Sequence, residues 1–292
     1  MKKVIFAFTA AFLASSLFAY DLVSEVQVSG GAKGVTRTDF SVASKFGEYF
    51  RTPVAKYIYT MDASGRTAES SELTVRDVLV NKIRNTYDST GNLKEQNGFD
   101  SDGNKIWKST VSFKNGKKVD VSEFGKDGSL KSRIIYSYTD SKLADETVYN
   151  SEGTLVEKTT YKYDDKGRVS VQDVYFDDGS LAQESVYTYT DNGKKDTVTY
   201  YDKYGKLTSK CIFRYAANGS LSEVTTYGAD NQTTSRQLVK YDNNGNVSRI
   251  TTYSVAKKFG TTVNEMTEMS EFAYNYTSSS SALTVSASSD AK

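Results

Sequence analysis

The sequence predicts an all-β fold: an antiparallel meander of tandem β-hairpin repeats, 25–26 residues each, forming an extended, largely single-layer twisted sheet with one short N-terminal helix. Three observations carry that expectation. Gly167, Gly193, Gly219 and Gly245 stand 26 residues apart, and each follows a tyrosine by four positions: Tyr163, Tyr189, Tyr215, Tyr241. A second series is interleaved, with Tyr175 before Gly179, Tyr201 before Gly205 and Tyr227 before Asn231. Finally, aromatics reach 13% while charged residues are 25% and proline occurs once, at Pro53, a mix that suits a thin wet sheet better than a thick dry core. Repeat arrays grow unit by unit along a line, so 292 residues need not divide into globular domains.

The spacing has a local physical meaning. Asp, Asn and Ser favour a type I turn, and a residue in the left-handed region after it completes a three-residue hairpin loop. Such a loop sets Tyr163 opposite Val169 and Tyr175 opposite Leu181, so an aromatic covers an aliphatic beside each turn. Cross-strand pairs of this kind contribute roughly 0.2–1 kcal/mol each. Continued without interruption, the register also pairs Val186 with Val198, Ile212 with Val224 and Leu238 with Ile250 on the other face. Charged residues fall on both faces, and about thirteen regular strands result.

In chain order, Lys2 and Lys3, the apolar run Val4–Leu13 and Leu17-Phe18-Ala19 read as a signal peptide over residues 1–19. Residues 20–84 read as an N-terminal cap. Within it Asp21–Ser29 alternates like a strand, and Thr38-Asp39 followed by Phe40, Val42, Ala43, Phe46, Tyr49 and Phe50 has helical spacing, a plug for the first sheet edge. An irregular hairpin follows from Lys56 to Ile83. Residues 85–253 hold the repeats, 254–276 supply closing strands, and 277–292 form a Ser-rich disordered tail.

The run Tyr161-Lys162-Tyr163-Asp164-Asp165-Lys166-Gly167-Arg168-Val169, with its copies at Tyr187, Phe213 and Val239, resembles the bacterial YD repeats of the Rhs type. The resemblance covers residues 85–253. It implies an exported β-repeat scaffold; the array is too brief to wrap a toxin and no toxin-like domain follows it. In architecture alone, the predicted open sheet is also similar to spirochaetal outer-surface proteins with a free-standing central sheet.

Composition limits the function. The chain has no histidine, which excludes Ser-His and Cys-His nucleophile pairs, and acidic residues are spread evenly, so no enzyme is expected. The single cysteine, Cys211, excludes an internal disulfide and reads as a small strand side chain on the parity of Ile134, Thr159 and Ser185. Without Lys2 and Lys3 there are 35 basic and 36 acidic residues, closely mixed, so nucleic-acid binding and electrostatic capture by an anionic membrane are not expected. Charges on both strand parities also speak against a transmembrane barrel. Acidic turns such as Asp100-Ser101-Asp102, Asp164-Asp165 and Asp177-Asp178 offer too few oxygens each for calcium, and no metal or cofactor is expected. What remains is binding. The ligand-facing candidates are Tyr161, Tyr163, Tyr187, Tyr189, Phe213, Tyr215 and Tyr241, one ring of each double position stapling the hairpin while its neighbour faces out. The chain therefore reads as an exported non-enzymatic scaffold or adhesin-like interaction protein of the bacterial envelope or surface, with carbohydrate binding by the tyrosine columns as the alternative.

Overall fold

The computed structural model describes residues 20–258 and 260–276. The residues assigned to the signal peptide and to the Ser-rich tail lie outside that range. Eighteen antiparallel strands follow one another: β1 (Gly34–Lys45), β2 (Glu48–Met61), β3 (Thr67–Leu73), β4 (Leu79–Tyr87), β5 (Leu93–Asp100), β6 (Lys105–Lys114), β7 (Lys117–Gly125), β8 (Leu130–Thr139) and β9 (Lys142–Asn150). Then come β10 (Leu155–Tyr163), β11 (Val169–Phe176), β12 (Leu181–Tyr189), β13 (Lys195–Asp202), β14 (Leu207–Tyr215), β15 (Leu221–Gly228), β16 (Thr233–Tyr241), β17 (Val247–Lys258) and β18 (Thr261–Asn275).

The sheet closes. Each strand pairs with its sequence neighbours, and β18 pairs with β1 from Gly34↔Asn275 to Ser41↔Glu268. The expected open, single-layer sheet is thus corrected to a barrel. The physical reason is that a twisted sheet beyond about ten strands curls, and closure removes both unpaired edges at once. Eighteen strands about 4.8 Å apart, tilted as barrels require, make a ring on the order of 36 Å across.

The expected N-terminal helix is corrected as well. Thr38–Phe50 forms the end of β1, a tight turn at Phe46-Gly47 and the start of β2. Its 3.6-like apolar spacing arises because apolar side chains sit on both faces of a protruding hairpin. The expected strand at Asp21–Ser29 is instead an irregular strap with one 3-10 turn (Val23–Glu25). The irregular hairpin expected over Lys56–Ile83 is two regular ones, paired Lys56↔Leu73 and Glu69↔Arg84.

Most hairpin loops follow the aromatic–glycine rule; Phe46-Gly47, Asn115-Gly116 and Asp140-Ser141 are two-residue loops instead. Asp164 N–H donates to the Arg168 carbonyl and Gly167 N–H to the Asp164 carbonyl, with Gly167 at φ +76°. Tyr163 faces Val169 and Tyr175 faces Leu181, as the loop length requires. Asn231 takes the left-handed place at φ +59° where the repeat lacks its glycine.

One residue farther in, however, nearly every hairpin carries a β-bulge. In β12–β13 the pairs run Tyr189↔Lys195, Thr188↔Thr197, Tyr187↔Val198, so Asp196 has no partner of its own. The expected pairs are therefore corrected: Val186 faces Thr199, Ile212 faces Thr225 and Leu238 faces Thr251. An extra residue in one strand shifts its parity, so Val198 and Val224 share a face with Tyr187 and Phe213, and Val186 and Ile212 lie on the other.

The two faces are now distinct. One carries Val35, Tyr59, Tyr136, Val198, Cys211, Phe213, Val224, Ile250 and Phe272, all buried, and is the enclosed face. The strap from Tyr20 to Ala32 lies on it, burying Leu22, Val26 and Val28 and leaving Val198 and Val224 at 0% exposure. Asn246 fastens the strap by accepting from Ser29 N–H at 2.7 Å, and Lys195 fastens it to Glu25 at 2.5 Å.

The outer wall carries cross-strand ion pairs: Arg84–Glu69, Lys108–Glu95 and Arg249–Glu271 at 2.8 Å each, Lys162–Asp173 at 3.1 Å, and Arg133–Asp120. The best formed is Glu223 with Arg236, whose Nε and Nη2 donate at 2.8 and 3.0 Å. Those hydrogen bonds hold the Glu223 carboxyl down to about 2 from its ordinary 4.5. A lowered carboxyl pKa stabilises the fold above the ordinary value, and that stabilisation is lost as pH falls from about 4.5 towards 2. Because Arg236 is one-third exposed, the contribution is discounted to about 1–2 kcal/mol. Glu223→Gln should therefore melt below the parent at pH 7, with the two melting curves converging by pH 2. Equal melting at pH 7 would count against the pair.

Candidate functional site on the enclosed face

The seven aromatic candidates fall into two rows, and the structure gives the rows different work. Tyr163, Tyr189, Tyr215 and Tyr241 stand at one rim, and each hydroxyl donates to the backbone carbonyl that opens the preceding strand: Leu143 at 2.8 Å, Val169 at 2.7 Å, Lys195 at 2.8 Å and Leu221 at 3.0 Å. A cation from the preceding loop covers most of these rings. Lys142 sits over Tyr163, Arg168 over Tyr189 and Lys194 over Tyr215, at 5.1, 4.3 and 5.0 Å from the ring centroids. Hydroxyl and ring face are both engaged within the wall, so this row joins hairpin to hairpin.

Two residues earlier in each strand come Tyr161, Tyr187 and Phe213. They point to the same enclosed face as the rim row, because residues i and i+2 of a strand share a side. The expectation that one ring of each pair faces outward is thereby corrected. Phe213 is covered edge-on by Tyr20 of the strap, centroids 4.9 Å apart, and is closed to a ligand. Tyr187 donates to Gln172 Oε1 at 2.8 Å, and Tyr161 lies near the Glu146 carboxylate, so that burial and then that charge raise the Tyr161 pKa. Tyr136 of β8 continues this inner row and is buried.

Beside Tyr136 and Tyr161 the repeat departs from its own rule. The residue that faces the last side chain before each rim loop is aliphatic in Leu93, Leu143, Val169, Leu221 and Val247, but threonine at Thr67 and lysine at Lys118 and Lys195. Lys195 is taken by the strap through Glu25. Lys118 instead lies over the Tyr136 ring, 3.9 Å from its centroid. The phase occupied by Glu146 is otherwise Ser70, Gln96, Val121, Gln172, Val198, Val224 and Ile250. Burial pushes the Glu146 carboxyl above its ordinary range, offset in part by Lys118 and by the Tyr161 hydroxyl. Burial likewise lowers Lys118 and raises Glu123, on the same face of β7.

Lys118, Glu146, Tyr136, Tyr161 and Gln172 thus line one stretch of enclosed wall from β7 to β11, and Tyr187 of β12 closes it where the strap-covered core begins. A cation, a carboxylate, an amide and three tyrosines offer donors, acceptors and apolar ring surface together. Lys118, Glu146 and Gln172 escaped the reading of the sequence, which took the acidic residues as evenly spread. Laying the repeats over one another in phase singles out Lys118 and Glu146, since the strap takes the equivalent Lys195 and no other repeat has a carboxylate at the place of Glu146.

The acidic turns use their carboxylates internally. Asp164 Oδ1 accepts from Lys166 and Arg168 N–H, and Asp100 Oδ1 from Asp102 and Asn104 N–H, all between 2.8 and 3.0 Å. No cluster of three potential metal-binding side chains occurs among the described residues. Cys211 is buried on the enclosed face, its thiol pKa raised by that burial and its Sγ 3.6 Å from Thr226 Oγ1.

No protein-family model matches the sequence, and no curated protein matches it. The YD-repeat resemblance therefore stands on its motif alone. Among solved structures, the chain is similar to a porin-like protein from Bacteroides uniformis, at 11% identity over 84% of this chain and 96% of that one, with a TM-score of 0.45. A porin-like protein from Bacteroides vulgatus follows at 10% identity, 84% and 98% coverage, and a TM-score of 0.35. The toxin complex TcdB2-TccC3 without its hypervariable C-terminal region shares 11% identity over 75% of this chain and 18% of its own, with a TM-score of 0.22. Likenesses this distant carry no argument about function.

Proposed function

We propose that the chain is an exported, non-enzymatic binding barrel of the bacterial envelope that holds a hydroxyl-rich, glycan-type ligand on the enclosed wall from β7 to β12. The observation that carries this reading is the placing of Tyr161 beside Glu146, the one carboxylate at its place in the repeat, and of Lys118 over Tyr136. A sugar meets such a wall through its C–H faces on the rings and its hydroxyls on carboxylate, amide and ammonium. The signal-like N-terminus supports export. The ion-paired outer wall supports water on the outside, since a charge facing lipid at mid-membrane depth costs about 2–4 kcal/mol for Arg or Lys. No helix among the described residues is long and apolar enough to cross a membrane.

Titration against a glycan panel, read by calorimetry and by Trp107 and tyrosine fluorescence, tests the proposal. Glu146→Gln and Tyr161→Phe should each weaken a bound glycan about tenfold, the effect of losing one charge-assisted hydrogen bond of about 1.5 kcal/mol. Tyr241→Phe, in the rim row, should leave affinity unchanged. The raised Glu146 pKa adds a sign. Its charged form is disfavoured in the fold, so its contribution to stability falls as pH rises through the folded pKa. Glu146→Gln should therefore raise the melting temperature at pH 7 and change it little at pH 4. Glycan turnover abolished by Glu123→Gln or Glu146→Gln would make the chain an enzyme and end this reading.

A further inference from the structure

At the rim opposite the strap, four strands outrun the barrel. β17 pairs with β16 only as far as Ser254↔Ser235, and Val255–Lys258 continue on β18 alone. β2 meets β3 only from Lys56 onward, so Glu48–Ala55 pair with β1 alone. β1 lies beside β18, and Tyr49 Oη donates to the Asn264 carbonyl at 3.5 Å, joining the two hairpins. Together they form a tongue that reaches past the wall by about 13 Å, the length of four extended residues.

The tongue gathers four of the exposed large apolar side chains on one projection. Phe46 at its apex is fully exposed, and Tyr49, Phe50 and Val54 are about half exposed. Phe46 also occupies a poor backbone position. It and Gly47 form a two-residue loop with φ +55° and +83°, where Asn or Gly is ordinarily found before glycine and a bulky residue is disfavoured. A ring kept fully in water at a position that disfavours it points to use. The sequence writes the same dipeptide, Phe259-Gly260, between Lys258 and Thr261.

Charge supplies the second argument. Over residues 42–54 and 255–265 the tongue carries Lys45, Arg51, Lys257 and Lys258 against Glu48 and Glu265, and with Arg51 paired to Glu271 at 3.0 Å an excess of one positive charge remains. Lys45 and Lys257 are exposed. We infer that this tongue docks the barrel on a membrane surface bearing acidic headgroups, with Phe46 and Phe50 entering the interface and the lysines meeting the phosphates. Aromatic side chains with flanking lysines bind interfaces in this way without spanning them. Insertion is confined to the tongue, so the charged outer wall stays in water.

The test uses the exported chain and sedimentation with vesicles of phosphatidylcholine alone or with one-third phosphatidylglycerol. Binding to the acidic vesicles is expected, weakened severalfold by 0.5 M salt as screening predicts. The Phe46→Asn, Phe50→Ser double variant should lower that binding at least tenfold. Phe46→Asn alone should melt no lower than the parent, because asparagine suits the turn. Phe176→Ser, removing a half-exposed ring from a short hairpin outside the tongue, should bind like the parent. In a Trp107→Phe background, Phe46→Trp should shift its fluorescence to the blue on acidic vesicles only. Failure of the parent to bind acidic vesicles, or undiminished binding by the double variant, overturns the inference. So does a dimer that Phe46→Asn dissociates in the ultracentrifuge, which would make the tongue a contact between copies. Glycan affinity is read separately and does not bear on this result.

Discussion

Val198→Asp is expected to abolish cooperative folding, while Val186→Asp, twelve residues earlier in the same hairpin, should cost less than about 1 kcal/mol. Val198 is fully buried, between Tyr187 and Cys211 and beneath the strap. A carboxylate there would lose its water and gain no cation, a cost above about 4 kcal/mol in a fold whose net stability is of order 5–15. Val186 sits on the outer wall opposite Thr199 and Val171, where an added charge keeps its hydration. Val198→Ala gives the milder version, about 2 kcal/mol, which for a chain of this size lowers the melting temperature by roughly 4–8 °C. Denaturant melts followed by far-ultraviolet circular dichroism measure all three. An equal response of Val186 and Val198 to aspartate would mean that the bulge at Asp196 does not form and that the two valines share a face.

The second large effect is expected at Gly98. It pairs with Trp107, and a methyl group there would lie 2.0 Å from the indole Nε1 and 2.1 Å from Cε2, less than any tolerable contact. Gly98→Ala must therefore swing the indole out of its place on the enclosed wall. Off-rotamer strain and lost ring contacts should cost about 1–3 kcal/mol. Trp107 is the only tryptophan, so its emission reports the displacement directly as a red shift. Removing the clashing ring should cancel most of the penalty: in a Trp107→Ala background, Gly98→Ala should cost less than about 0.5 kcal/mol. Additive effects of the two substitutions would show that the ring and the glycine do not meet.

Much of the local structure was legible because hairpin chemistry is local. The loop Asp164–Arg168 depends on five consecutive residues, and the pairs Tyr163↔Val169 and Tyr175↔Leu181 follow from loop length alone. The bulges were not legible. Nothing about Asp196 or Ser170 announces that it will lack a partner, since a bulge is a compromise between the twist of two strands and the curvature of the whole ring. One missed residue per hairpin moved Val198, Val224 and Ile250 to the opposite face. The Phe46 turn misled for a related reason. Apolar residues on both sides of a free hairpin mimic the spacing of a helix, and only the pairing Lys45↔Glu48 separates the two.

The candidate site was half legible. Tyr161 and Tyr187 were singled out as doubled aromatics, and the rim partners Tyr163, Tyr189, Tyr215 and Tyr241 proved to be internal ties. Glu146 and Lys118 were overlooked because they lie 28 residues apart with a full strand between them, and sequence distance conceals that they share one face.

By itself the sequence determined that residues 85–253 would be β-hairpins in tandem, where most of them would turn, and that aromatic rings would stand beside the turns. Those properties depend on a handful of adjacent residues and on the preferences of Gly, Asn, Asp and Tyr. Only the tertiary structure decided that the hairpins close on themselves, which face is enclosed, and that residues from both ends of the chain meet in one tongue. Closure joins Gly34 to Asn275 across the length of the chain, and the twist that brings them together is a sum over all eighteen strands, not a property of any one.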